Sequence, residues 1–208
     1  MNWLLVPGAY LLGSVSFAWL AGRAKGIDLR RAGSGNLGAT NAGRVLGKGW
    51  FLAVFIADLL KGLVPVMIAK DLAAHHGASG SLPIAVGAAA IIGHVFTCFF
   101  AFKGGKAVAT SLGVLTGLLL DVAAISLGIW ILAWTVSYLL LRKSSDAVGP
   151  ASVIAAAAMP FVYLARYPDP WSLLAIPMTL FLFVLSALVV VKHRSNIAKL
   201  LRRRDPLG

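Results

Sequence analysis

Long apolar runs separated by short polar segments dominate the chain. A helix needs about 20 apolar residues to cross the hydrocarbon core of a bilayer. Seven runs approach that length, over residues 2–22, 50–70, 82–102, 107–121, 124–141, 149–165 and 171–191. The fourth is short and joins the fifth tightly around Asp121, so a re-entrant fourth segment would reduce the count to six; seven is the reading adopted. The pattern predicts an all-α integral membrane protein, a single polytopic membrane domain over 1–208. The longest polar stretch, 23–49, is too short to enclose a soluble core.

Composition agrees: 59% of the 208 residues are hydrophobic and 12% charged, with a mean hydropathy of +0.86. All seven acidic residues are Asp. Chemistry built on Glu, such as a zinc-binding H-E-x-x-H helix, is therefore excluded. The one cysteine, Cys98, lies in an apolar run and has no partner for an intramolecular disulfide.

Charge gives an orientation. With seven spans, the segments 23–49, 103–106, 142–148 and 192–208 share one side and carry 16 of the 19 basic residues. Cytoplasmic loops are enriched in Lys and Arg, which predicts an N-terminus outside and a cytoplasmic C-terminus. The formal charge of +12 then reflects a cationic face against anionic headgroups, with no nucleic-acid partner. No basic residue precedes the first apolar run, so it reads as a retained anchor rather than a cleaved signal.

Candidate chemistry gathers on that same side. In "GSGNLGATN", residues 33–41, Gly33, Gly35 and Gly38 permit backbone conformations that turn successive N–H groups toward an anion. Ser34, Asn36, Thr40 and Asn41 add short polar side chains, and Arg44 adds a two-pronged donor suited to phosphate. No Walker sequence accompanies them, so the loop alone says "anion" and no more. A second such device follows the third run: Lys103, Gly104, Gly105 and Lys106 form a turn before a new helix, bringing amides and an ammonium near a helix N-terminus.

After the last run, "KHRSNIAKLL" places His193 and Asn196 three residues apart, on one face of a continuing helix, with Lys199 and Leu200 extending it. His193 is a candidate for proton handling or phosphate binding. Arg194 and Arg202, Arg203 and Arg204 suit lipid headgroups. The loop "LRKSSD" adds Arg142, Lys143, Ser144 and Ser145. Asp58 and Lys61, spaced i and i+3 inside the second run, can pair and so lower the cost of burying two charges; they read as structural.

Taken in order, "GSGNLGATN" with Arg44, "DLLKG", "GHVFTCFFAFKGGKAVAT" and "HRSNIAKLL" resemble the bacterial membrane acyl-phosphate:glycerol-3-phosphate acyltransferases, the PlsY family. The chain departs from the family pattern at Ala107, where GGKG is usual, and at Arg203 and Asp205, where a Gly and a Glu usually close the last motif. The serine-rich pattern around Ser145 is only partly kept. The resemblance implies transfer of a fatty acyl group from acyl phosphate to the 1-hydroxyl of glycerol 3-phosphate, giving lysophosphatidic acid and phosphate in phospholipid synthesis. It implies a multi-pass protein of the bacterial plasma (inner) membrane with a cytoplasmic-facing site, no cofactor and no metal.

It implies Lys106, His193 and Asn196 as catalytic. Ser34, Gly35, Asn36, Gly38, Thr40, Asn41, Arg44, Gly104, Gly105, Arg142 and Ser145 are implied to bind substrate. An acyl phosphate is already activated, so direct transfer within a ternary complex is expected. Ser34 and Lys106 would hold one phosphate, and Arg44, His193 and Asn196 the glycerol 3-phosphate end; which phosphate sits where stays open, as does whether His193 or a substrate phosphate takes the proton.

Rival signatures are missing. No H-x-x-x-x-D follows any histidine, and no D-x-x-D-G occurs. The alternative of a different class, a membrane transporter of a phosphorylated solute, would use the anion loops equally well, but it predicts a substrate site near the bilayer midplane on broken helices.

Overall fold

In a computed structural model the protein is all-helical over the described residues, 2–141 and 145–203. The chain divides into two units, Met1–Leu120 and Asp121–Gly208. The first holds α1 (Leu5–Ser14), α2 (Phe17–Ala24), α3 (Ala39–Leu46), α4 (Lys48–His75), α5 (Leu82–Val95) and α6 (Val108–Leu118). Nearly all of α7 (Leu120–Leu140) lies in the second, with α8 (Val148–Arg166), α9 (Ile176–Lys192) and α10 (Arg194–Arg203). Each expected apolar run contains helix, though the run 171–191 is helical only from Ile176. Among the described residues five segments are long and apolar enough to cross a membrane; α6 and α9 are shorter apolar helices.

The second run shows how an apolar sequence acquires two faces. Leu52, Ile56, Leu60, Val64 and Ile68 recur every four residues along α4 and are exposed, while Val54, Asp58, Lys61, Gly62, Pro65, Val66 and Ala69 are buried. The hydrocarbon-facing stripe is therefore as apolar as the core, and packing rather than burial of oil from water selects the inward face. Small residues make that packing close. A Cβ at Gly13 would strike the Ala90 carbonyl and one at Gly93 the Tyr10 carbonyl, so α1 and α5 meet through reciprocal glycines. In the same way Gly62 and Gly113 bring α4 and α6 together, facing the Thr110 and Leu59 carbonyls. Gly113→Ala is expected to destabilise the protein by about 1–3 kcal/mol through overpacking, read as a lower thermal-inactivation midpoint in detergent; an unchanged midpoint would contradict this seam.

Two expected continuous helices are interrupted. The first run breaks at Val15–Ser16, where Ser16 caps α2 by accepting from the Trp19 amide at 3.2 Å. Helix α5 stops at Val95, seven residues before the end of its apolar run. Helix ends inside a membrane need partners for their last carbonyls. For α1 they are Thr97, whose hydroxyl donates to Ser14 O at 2.8 Å, and Lys61, whose ammonium donates to Val15 O at 2.8 Å. For α6 Lys70 reaches Gly117 O at 2.8 Å.

In the second unit α8 packs on α9. Trp130 of α7 donates its indole N–H to Ser152 of α8 at 3.1 Å. The start of α7 is tied to the end of α8, where Asp121 accepts from the Tyr167 hydroxyl at 3.2 Å and pairs with Arg166 at 3.4 Å.

Candidate functional site

The loop between α2 and α3 is held by its apolar residues from below. Leu29 and Leu37 are buried with Ala18 and Ala21 of α2, Ala42 of α3 and Val54 of α4. Above this anchor Arg30 grips Asp28 through its side chain at 2.8 Å. The Arg30 hydrogen bonds hold the Asp28 carboxyl down to about 2, so the pair stays ionised at neutral pH and Arg30 is committed to Asp28.

The glycine loop is organised by Asn41. Its Oδ1 accepts from the Ser34 amide at 2.7 Å, and its Nδ2 donates to Leu29 O and Ala32 O, both at 3.1 Å. Asn41 is 2% exposed. This corrects the expectation that its side chain donates to an anion: both N–H donors of the amide are spent on carbonyls of the loop itself. Gly33 has a positive φ of 61°, and a Cβ there would strike Asn41 Oδ1. The Gly35 amide donates to Ala32 O at 3.1 Å.

The nest expected from the early part of the loop is thus largely used in holding the loop itself. Donors instead come from its end, where α3 starts at Ala39 behind Gly38 with no side-chain cap. Gly38, Ala39 and Thr40 have no carbonyl one turn back to receive their N–H groups. Thr40 and Arg44 are one turn apart on α3 and share a face, and Ser34 is exposed beside the Asn41 bond.

The second loop folds back on α5. After Thr97 the chain makes a short 3-10 turn, Cys98–Phe100, passes two left-handed residues, Ala101 and Phe102, and returns. The Gly104 amide then donates to Val95 O at 3.1 Å and the Gly105 amide to His94 O at 3.0 Å. A Cβ at Gly104 would collide with the His94 carbonyl, and one at Gly105 with the His94 imidazole. These two amides therefore cap α5, which corrects the expectation that they donate to an anion; the glycines are needed for close approach.

What the turn presents is Lys106, half-buried, just before the start of α6. Ala107 follows with φ 60°, in the left-handed region that the glycine usual in the family pattern would adopt without strain. The two loops meet: Phe100 packs on Trp19, with ring centroids 5.4 Å apart, and lies under the Arg30 guanidinium at 5.7 Å. Leu37 of the first loop also shares a narrow crevice with Gly104 and Gly105 of the second.

In the second unit the expected helical face is bent. Helix α9 ends at Lys192, and His193 forms the junction to α10. It is 3% exposed, and its Nδ1 lies 2.8 Å from Val189 O. A carbonyl only accepts, so the ring proton sits on Nδ1 and the Nε2 lone pair is the basic position of the neutral ring. Asn196, one turn on, packs against the start of α8: a Cβ at Gly149 would come within 2.8 Å of its Nδ2. That brings Asn196 to the helix that follows the Ser145–Ala147 turn. Arg142, Lys143 and Ser144 lie outside the described residues, as do Arg204 and Asp205.

His94 is a further residue of the site that no expected loop or motif role singles out. It is buried, 3.7 Å through Nδ1 from Asp58 Oδ1, which also pairs with Lys61 at 2.8 Å. The signal available was its position, inside an apolar run, in the same motif that carries Lys106.

Fold and loops together define a polytopic helical membrane protein that sets a buried scaffold under two polar, basic loops. A family model described as glycerol-3-phosphate acyltransferase matches residues 3–203, and the chain belongs to that family. A glycerol-3-phosphate acyltransferase of Geobacter sulfurreducens is 44% identical over 95% of this chain and 92% of its own length. One of Aquifex aeolicus is 40% identical over 97% and 96%. Among solved structures the fold is similar to a crystal structure of PlsY, an integral membrane glycerol 3-phosphate acyltransferase, in its glycerol 3-phosphate form. The TM-score is 0.81 at 36% identity, covering 98% of this chain and 94% of that one. The lysophosphatidic acid form of PlsY is similar, with a TM-score of 0.79 at 35% identity.

Proposed function

We propose that the protein transfers a fatty acyl group from acyl phosphate to the 1-hydroxyl of glycerol 3-phosphate. The hydroxyl oxygen bonds to the acyl carbon, the bond from that carbon to the phosphate oxygen breaks, and the hydroxyl proton passes to His193 or to a substrate phosphate. The products are lysophosphatidic acid and inorganic phosphate. The observation that carries this reading is the family match along residues 3–203, supported by solved relatives in glycerol 3-phosphate and lysophosphatidic acid forms. The unbroken match also supports treating 1–208 as one polytopic domain.

An acyl phosphate has an activated carbonyl and a good leaving group, so positioning and charge stabilisation suffice and no enzyme nucleophile is needed. In our assignment Lys106 stabilises charge on a phosphate. The amides of Gly38, Ala39 and Thr40 with Ser34 and Asn36 form one anion-binding wall, and the family resemblance supports Arg44, His193 and Asn196 as ligands of glycerol 3-phosphate and Arg142 and Ser145 as further substrate-binding residues. His193 Nε2 either receives the hydroxyl proton or orients the acceptor while a substrate phosphate takes it. His193→Gln separates the two: an unchanged pH profile with a raised KM for glycerol 3-phosphate assigns His193 to binding, and loss of the profile's acid limb assigns it to proton transfer.

Seven spans, an outside N-terminus and an active site on the cytoplasmic face of the bacterial plasma membrane complete the reading. It rests on the seven apolar helical segments and on the basic residues of the alternate loops. The break in the first span does not favour the transporter alternative, because Thr97 and Lys61 take the carbonyls it releases. Supplying labelled glycerol 3-phosphate with either acyl phosphate or acyl-coenzyme A to protein in lipid tests the donor. Label should enter lipid with acyl phosphate; incorporation with acyl-coenzyme A alone would overturn the assignment.

A further inference from the structure

A buried charged cluster lies beneath both loops, and the mechanism above does not use it. Asp58, Lys61 and His94 are 2%, 3% and 7% exposed. A single oxygen, Asp58 Oδ1, is 2.8 Å from Lys61 Nζ and 3.7 Å from His94 Nδ1. From this centre two arms extend. Through Lys61 the cluster holds Val15 O at the break in the first span, with the ammonium 5.6 Å from the Phe17 ring centroid. Through His94 it reaches the second loop twice: the His94 carbonyl takes the Gly105 amide, and its imidazole fills the space where a Gly105 side chain would be. Lys61, His94, Gly105 and Leu37 of the first loop line one crevice.

Desolvation offsets much of a buried pair's attraction, so burial of the pair is by itself weak evidence of a stabilising role. This cluster ends on the residue next to Lys106. We infer that Asp58, Lys61 and His94 are positioning residues for the acyl transfer: they fix the Gly104–Gly105 turn and so the place from which Lys106 reaches the reacting phosphate. The inference rests on the proposed acyl transfer for its kinetic consequence, while the rigidity of the turn can be measured without it.

The test uses the full-length protein in lipid nanodiscs. Asp58→Asn/Lys61→Met removes both charges together and leaves no unpaired ion. His94→Gln keeps the ion pair and removes the ring under Gly105. Neither changes a residue assigned to substrate. For at least one folded variant we expect kcat to fall about tenfold or more with KM for both substrates within about threefold. Amide exchange in the peptide spanning 103–106 should rise about tenfold with α8 and α9 unaffected.

Wild-type kcat, or lowered kcat with exchange at 103–106 unchanged, would overturn the inference. Failure of both variants to fold would also overturn it, by making the cluster scaffold alone. Parent protein that makes no lysophosphatidic acid would refute the acyl-transfer reading; the exchange result would still decide whether the cluster holds the turn.

Discussion

Lys106→Ala is expected to lower kcat by about 10²- to 10³-fold, the usual consequence of removing one preorganised charge or donor from a developing anion. The backbone around it is set by other groups, the Gly104 and Gly105 amides on α5 and Ala107 at the start of α6. Stability should therefore barely change, and the loss should appear in kcat more than in KM. Lys106→Arg should recover only part of the rate, because a planar guanidinium replaces a compact ammonium. Steady-state kinetics with acyl phosphate and glycerol 3-phosphate reads the effect; a loss below about tenfold would remove Lys106 from the reacting centre.

Asn41→Ala should act in the opposite manner, through structure first. The substitution removes three hydrogen bonds and leaves the Ser34 amide and the carbonyls of Leu29 and Ala32 without their partner. The cost is about 2–4 kcal/mol, from penalties of about 1–3 kcal/mol for groups left unsatisfied. It should appear as a lower thermal-inactivation midpoint together with a raised KM, since Ser34 and the start of α3 lose their relative placement. Asn41→Asp keeps the acceptor for Ser34 but sets a buried carboxylate oxygen against the Leu29 and Ala32 carbonyls, so it should destabilise at least as much as alanine. An Asn41→Ala protein as stable as the parent would show that the loop is held by its leucine anchors alone.

These two residues show where the sequence was readable. Lys106 stands out as a cation between two glycines and a helix start, and that pattern carries its own chemistry. Asn41 carries the same local signal as Asn36, a short polar side chain in a glycine loop. Only the fold reveals that it points inward to organise the loop. Gly104 and Gly105 are ambiguous for a related reason: two glycines before a helix suit anion binding and suit a tight return onto an earlier helix equally well, and the contact with His94 that reveals the second use lies in the fold.

Helical fold was legible because α4 alternates lipid-facing and buried residues at helical spacing inside a run that is apolar throughout. The breaks were not. Ser16 is a proper helix cap, but within an apolar run a lone serine looks like any other small residue. Helix α5 ends at Val95 without a proline or a following glycine, because Gly104 and Gly105 nine residues later supply its last bonds. His94 was missed with it, since its partners Asp58 and Gly105 lie on separate segments.

The central claim is that one protein joins two phosphate-bearing substrates at a membrane by direct transfer. Purified protein in lipid, given acyl phosphate and glycerol 3-phosphate together, should release phosphate and form lysophosphatidic acid in equal amounts, with neither product when glycerol 3-phosphate is omitted. Phosphate release without the acceptor, or no lysophosphatidic acid with both substrates present, would contradict it.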